Sequence, residues 1–356
     1  MKKSRFIQWT AACLLLLIAG CEVEYFAQLA VGQIESLANT VPIEEALSDP
    51  NLTQDEKDKL VFLQQVREFG INRIGLFAGD AYTVFEANGT EPAAYVLTAA
   101  AKDSLTAFQW NLPIVGLTGQ KGFFDRALGQ READLLVEQG YDVFYTTAAG
   151  FSTLGVFPDP VRQSNLRMDE FDLADFLLHE MTHSTVFKPS DTNFNEAMAT
   201  FVGRAAAQAW FDETHGPNSS EAVAARMRFA DKAVIDEYVI ALFTESGNYY
   251  EAAAARGDSR ETIIAGRDAV FQAIAATYET DYEPRLADPD RWTFIRDLPL
   301  DNARILIGIR YQGGLSDFEA VLNKTNGDFP ATLEVYSEAA RQTDSRKYLQ
   351  DWAAAP

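Results

Sequence analysis

Apolar positions Phe26, Leu29, Ala30, Ile34 and Leu37 recur at three- and four-residue intervals until Pro42 interrupts them, which predicts a first helix within 21–47. Thr53, followed by Gln54, Asp55 and Glu56, has the chemistry of a helix cap, and apolar positions carry a second helix to about residue 69. Over 81–118 the pattern changes. Segments such as Tyr82-Thr83-Val84-Phe85 and Pro113-Ile114-Val115-Gly116-Leu117 are rich in aromatic and β-branched residues and read as short strands. A helix is expected at 123–139, then a strand at 141–146 and a loop punctuated by Gly and Pro up to Pro160. From Glu170 onward the helical period dominates, at 170–187, 194–212, 220–246, 249–279, 301–310 and near 331–350. The expected fold class is α+β, predominantly α-helical, with a small antiparallel or mixed sheet preceding the helix at 170–187. No internal repeat and no long linker interrupts it, so residues 21–356 are expected to form one domain.

The first twenty residues stand apart from this pattern. Lys2, Lys3 and Arg5 form a basic start, Ala11 to Ile18 an apolar run, and Ala19-Gly20 a small-residue approach to Cys21. This is the layout of a secretory signal peptide, and its apolar run is shorter than the ~20 residues that span a bilayer. Ile18-Ala19-Gly20-Cys21 resembles a bacterial lipobox, which implies cleavage before Cys21, lipid on its thiol and a place on the cell-envelope membrane, facing the periplasm or exterior. The only other cysteine, Cys13, would leave with the leader, so the mature chain has no thiol for a disulfide or for cysteine-based catalysis. The full sequence carries a net charge of −22, with 52 acidic against 30 basic residues, and losing the leader's three cations makes it more acidic still. Such a chain repels phosphate backbones and anionic headgroups, which argues against a nucleic-acid partner and leaves membrane attachment to the lipid.

The candidate chemistry lies in Leu177-Leu178-His179-Glu180-Met181-Thr182-His183. Residues four apart share a helix face, so His179 and His183 can present two imidazoles to one ion. Glu180 sits beside that face, where it can take a proton from water that the ion activates. A catalytic zinc takes three protein ligands and keeps one position open, and two histidines with a glutamate are one such set. Glu196, which opens a helix thirteen residues after His183, fits the third place; the alternative is a carboxylate placed there by the helix dipole. Pro189 and Ser190-Asp191-Thr192 supply the chain reversal. Asp191 and Asn195 are candidates to support the ligands from behind, and Tyr145, Tyr249 and Tyr311 to stabilise an oxyanion. The third histidine, His215, lies in a polar loop and is left out of the site.

Together with Phe151-Ser152-Thr153-Leu154-Gly155-Val156-Phe157-Pro158-Asp159-Pro160 and Asp191-Thr192-Asn193-Phe194-Asn195-Glu196, these features resemble a family of bacterial lipoproteins predicted to be aminopeptidases of the zincin class. The resemblance spans nearly the whole mature chain. It implies one zinc ion, peptidase activity on a peptide or protein substrate, and roles at His179, Glu180, His183 and Glu196. By analogy with zincin-like enzymes, the strand 141–146 or the segment 151–157 would pair with extended substrate. The chain departs from the family pattern around Trp110-Asn111-Leu112-Pro113-Ile114-Val115-Gly116 and at Lys121-Gly122-Phe123-Phe124, and it has no Gly-x-Met-Glu-Asn stretch of the kind that binds a free amino terminus. Endopeptidase activity, hydrolysis of a non-protein amide, and a non-catalytic envelope lipoprotein with a structural or vestigial metal site therefore stay open.

Overall fold

A computed structural model describes residues 24–88, 91–112, 116–150 and 158–356. The leader, Cys21, the Pro113–Val115 part of a predicted strand and the segment 151–157 lie outside the described residues. Helix α1 covers 24–38, followed by strand β1 (Thr40–Pro42) and the short helix α2 (Ile43–Ala46). Helix α3 (Gln54–Phe69) starts as its sequence predicts: Thr53 Oγ1 accepts from Glu56 N–H and the Glu56 carboxylate accepts from Thr53 N–H, a reciprocal cap.

Seven short strands follow among the described residues, six of them within the mixed pattern of 81–148. They are β2 (Val84–Glu86), β3 (Ala94–Ala101), β4 (Trp110–Leu112), β5 (Gly116–Thr118), β6 (Lys121–Phe123), β7 (Tyr141–Ala148) and β8 (Val161–Arg162), with β1 before them and helix α4 (Arg126–Glu138) ahead of β7. They make three small sheets, ordered β1-β2-β8, β6-β3-β7 and β4-β5. The second is antiparallel throughout, with Tyr95 opposite both Phe123 and Thr147, while β2 pairs β8 in parallel. The alanine-rich β3 is held extended by burial: Leu97, Ala99 and Ala100 are fully covered, by α4 on one face and by helices of the C-terminal half on the other.

The rest is helical: α5 (Glu170–Thr185), α6 (Thr192–His215), α7 (Ser220–Arg256), α8 (Arg260–Thr277), α9 (Asn302–Gln312), α10 (Leu315–Lys324), α11 (Phe329–Ala340) and α12 (Ser345–Ala354). The fold is α+β and predominantly helical. Several elements differ from expectation. Helix α7 runs through Gly247-Asn248 and ends only at Gly257, whose φ of 72° closes the last turn. The segment near 331–350 is two helices, because Asp344 caps a new one by accepting from Lys347 N–H at 3.0 Å. Helix α10 was not expected.

Helices α5 and α6 are the centre of the main core. Helix α5 buries Phe171, Leu173, Ala174, Leu177, Leu178 and Met181, and α6 is covered on nearly every side, with α3, α7, α9 and α10 around the pair. Gly203 permits their close crossing: a Cβ there would lie 2.8 Å from the Asp175 carbonyl oxygen and 3.1 Å from His179 Cβ.

Candidate metal centre

Asp169 caps α5 by accepting from Asp172 N–H at 2.8 Å, and the helix that follows sets His179 and His183 one turn apart. Their rings stand edge-to-face at 4.8 Å between centroids, with the two Nε2 atoms 3.2 Å apart. The chain then turns through 186–191 and α6 returns. Asp191 caps α6 by accepting from Phe194 N–H at 3.1 Å. Asn195 clamps the turn from within, accepting from Lys188 N–H at 2.9 Å and donating to the Lys188 carbonyl at 2.8 Å.

This return delivers Glu196 to the histidines, its Oε2 lying 3.4 Å from His179 Nε2 and 3.5 Å from His183 Nε2. The three side chains form a group able to hold a metal ion. Ligand atoms held tetrahedrally at ~2.0–2.2 Å from zinc lie about 3.4 Å apart, so the observed triangle fits such an ion. Burial alone would raise the Glu196 carboxyl, but the imidazoles of His183 and His179 hold it well below the usual carboxylate range. Burial opposes charge on His183, yet Glu196 outweighs it and raises that imidazole. The group is therefore strongly coupled before any ion binds.

Glu180 follows His179 into a cleft of about 710 Å³ that His179, His183 and Glu196 also line. Burial pushes its carboxyl above the ordinary range, against the pull of the two histidines. The end of β7 and the residues after it, Thr146 to Gly150, form one wall, and Ile307 and Tyr311 of α9 another. The charged floor is internally paired, Lys232 with Asp172 at 2.9 Å and Asp175 at 2.5 Å, and Arg204 with Asp236.

A family model described as "Putative aminopeptidase" matches residues 24–349. The chain belongs to this aminopeptidase family. Membership of that family points to peptidase, and so hydrolase, activity. No curated protein and no solved structure matches it.

In this aminopeptidase-family chain the three tyrosines singled out by sequence have different surroundings. Tyr311 lines the cleft and stacks on His179, with 6.1 Å between ring centroids and 22° between planes. Burial, and then the Glu196 charge, raise its hydroxyl well above the usual tyrosine value. Tyr145 instead lies half-buried against the core of the β3 sheet and donates to the Arg126 carbonyl at 3.1 Å. Tyr249 donates to the Ile263 carbonyl at 2.7 Å between α7 and α8, also away from the cleft. Asp191 and Asn195 line the cleft, but the hydrogen bonds they make fix the α5–α6 turn. His215 packs against Trp210 and Phe211 at the far end of α6.

Sequence reasoning missed Gln120 and Arg310. Gln120 Nε2 donates to Glu196 Oε1 at 2.9 Å, and Arg310 Nη1 donates to Gln120 Oε1 at 3.1 Å. No local spacing connects residues 76 and 190 positions apart, so nothing in the pattern of the chain points to them.

Proposed function

We propose that this family member is a zinc-dependent peptidase in which His179, His183 and Glu196 hold one zinc ion and Glu180 is the general base. The observation that carries this reading is the 3.2, 3.4 and 3.5 Å triangle of ligand atoms, with an additional carboxylate beside it in an open cleft. A structural metal site has no chemical need for that fourth side chain. When bound, zinc supplies Lewis acidity, polarising a carbonyl and making water a stronger acid. Glu180 takes the proton of the attacking water and returns it to the leaving amine, a role suited to a carboxyl whose pKa burial has raised. Tyr311 keeps its proton because burial and the Glu196 charge oppose ionisation, so it can donate to the substrate oxygen as charge develops there. The free edge of β7, which pairs only with β3 among the described residues, supplies a backbone to align an extended peptide.

The same reading includes location: lipid on Cys21 holds the enzyme to the envelope membrane. None of the described helices is long and apolar enough to cross a bilayer.

Hydrolysis of peptides with a free amino terminus, compared with their amino-acetylated forms, tests the activity. Glu180→Gln should lower kcat by about 10²–10⁴-fold, the usual scale for losing a positioned base. Wild-type rates in that variant would remove Glu180 from the mechanism. Cleavage restricted to free amino termini supports the aminopeptidase form, and equal cleavage of acetylated peptides the endopeptidase form.

A further inference from the structure

Arg310 is 2% exposed, and among the described residues it makes no ion pair. Its guanidinium is held by neutral acceptors: Nε donates to Asn193 Oδ1 at 3.3 Å, Nη1 to Gln120 Oε1 at 3.1 Å and Nη2 to the Gly119 carbonyl at 3.0 Å. A buried cation without a carboxylate partner is costly, so its retention calls for a purpose. Burial lowers the pKa of this arginine, and the negative charge that opposes the shift from outside its own helix is Glu196. The two are joined through one side chain, Gln120.

The contact with Arg310 fixes which way the Gln120 amide points. Its oxygen must face the guanidinium, since the reverse orientation would set NH₂ against N–H donors and oxygen against a carboxylate. With the oxygen so engaged, the amide nitrogen faces Glu196 and donates to Oε1 at 2.9 Å. That leaves Oε2 turned toward both histidines, at 3.4 and 3.5 Å. The segment carrying Gln120 is itself tied to the α5–α6 turn, because Leu117 N–H donates to Ser190 Oγ at 3.2 Å and Thr192 Oγ1 to Thr118 Oγ1 at 3.2 Å. Gly119 leaves the guanidinium its place, as a Cβ there would come within 2.6 Å of Nη2.

We propose that Gln120 and Arg310 are positioning residues that hold Glu196 in single-oxygen geometry for the metal, Arg310 acting through the Gln120 amide. This inference rests on the zinc-site reading above. It assigns a function to the loop after β5, where no motif marks one, and to an arginine on the helix that also carries Tyr311.

The test is zinc affinity of the full chain, measured by competition with a chromogenic chelator, for wild type, Gln120→Leu and Gly119→Ala. The melting temperature of each metal-free form is followed in parallel. Gln120→Leu keeps the bulk of the side chain and removes both hydrogen bonds; Gly119→Ala shifts the guanidinium without altering any charge. Both should bind zinc more weakly, Gln120→Leu by about 10–100-fold, the usual cost of losing an outer partner of a ligand. A structural role alone would lower the metal-free melting temperature and leave the affinity unchanged, and that result overturns the proposal. Failure of wild type to bind one zinc would overturn the site reading instead, so the two failures are distinct.

Discussion

His179 and His183 owe their separation to one helix, so two of the three proposed ligands are in place once α5 forms. Glu196 depends on the turn between α5 and α6 and on the Asp191 and Asn195 hydrogen bonds that shape it. This difference explains what the sequence disclosed. Spacing revealed His179, Glu180 and His183 because it is local, and Glu196 because a short reversal precedes it. Tyr311, Tyr145 and Tyr249 were indistinguishable, since only tertiary contact separates a ring stacked on a ligand from one in a core. Coupling within the group also sets a pH dependence. The folded-state pKa of His183 is raised, so without metal its stabilising effect is complete below its ordinary value of about 6.5 and fades as pH rises through the folded value. On the proposed reading zinc must expel that proton, and its stabilisation should therefore grow with pH. The rise in melting temperature on adding zinc should be larger at pH 8 than at pH 5.5; an equal rise at both would mean that His183 is not a ligand.

Among the elements, the α5–α6 crossing has little tolerance. Alanine at position 203 would bring a Cβ within 2.7 Å of Asp175 Oδ1 and 2.8 Å of its carbonyl oxygen, so the helices must separate. Gly203→Ala is expected to cost about 1–3 kcal/mol of stability, as overpacking does, and to weaken zinc binding by moving Glu196 away from the histidines. Thermal melts with and without zinc check both effects; unchanged values would show that the crossing is looser than its contacts indicate. Helix and strand types were largely legible, because apolar positions recur at helical spacing and Thr53 marks the start of α3 by its cap chemistry. Boundaries were less so. Gly247 reads as a break, but α7 continues past it because helix packing there outweighs one unfavourable residue. The gap between α11 and α12 is stabilised by a distant group: Lys188 Nζ donates to the Gln342 and Thr343 carbonyls at 2.9 and 3.2 Å. Through that lysine the C-terminal helices also brace the turn before Glu196.

At the scale of the whole molecule, the cleft lies where separately cored parts meet. The α5–α6 core supplies the candidate ligands, the β3 sheet supplies the wall ending at Gly150, and α9 supplies Ile307 and Tyr311. Local pattern can identify each part but not their meeting, which is why the candidate metal group was legible and the Gln120–Arg310 bridge was not. The measurement that tests the central claim most directly is zinc content by elemental analysis of purified residues 22–356, alongside His179→Ala and Glu180→Gln. The account predicts about one zinc per wild-type chain, retained in Glu180→Gln and lost in His179→Ala, as expected for three ligands and a base that does not bind the ion. No zinc in the wild type after zinc is supplied, or equal zinc in His179→Ala, would contradict it.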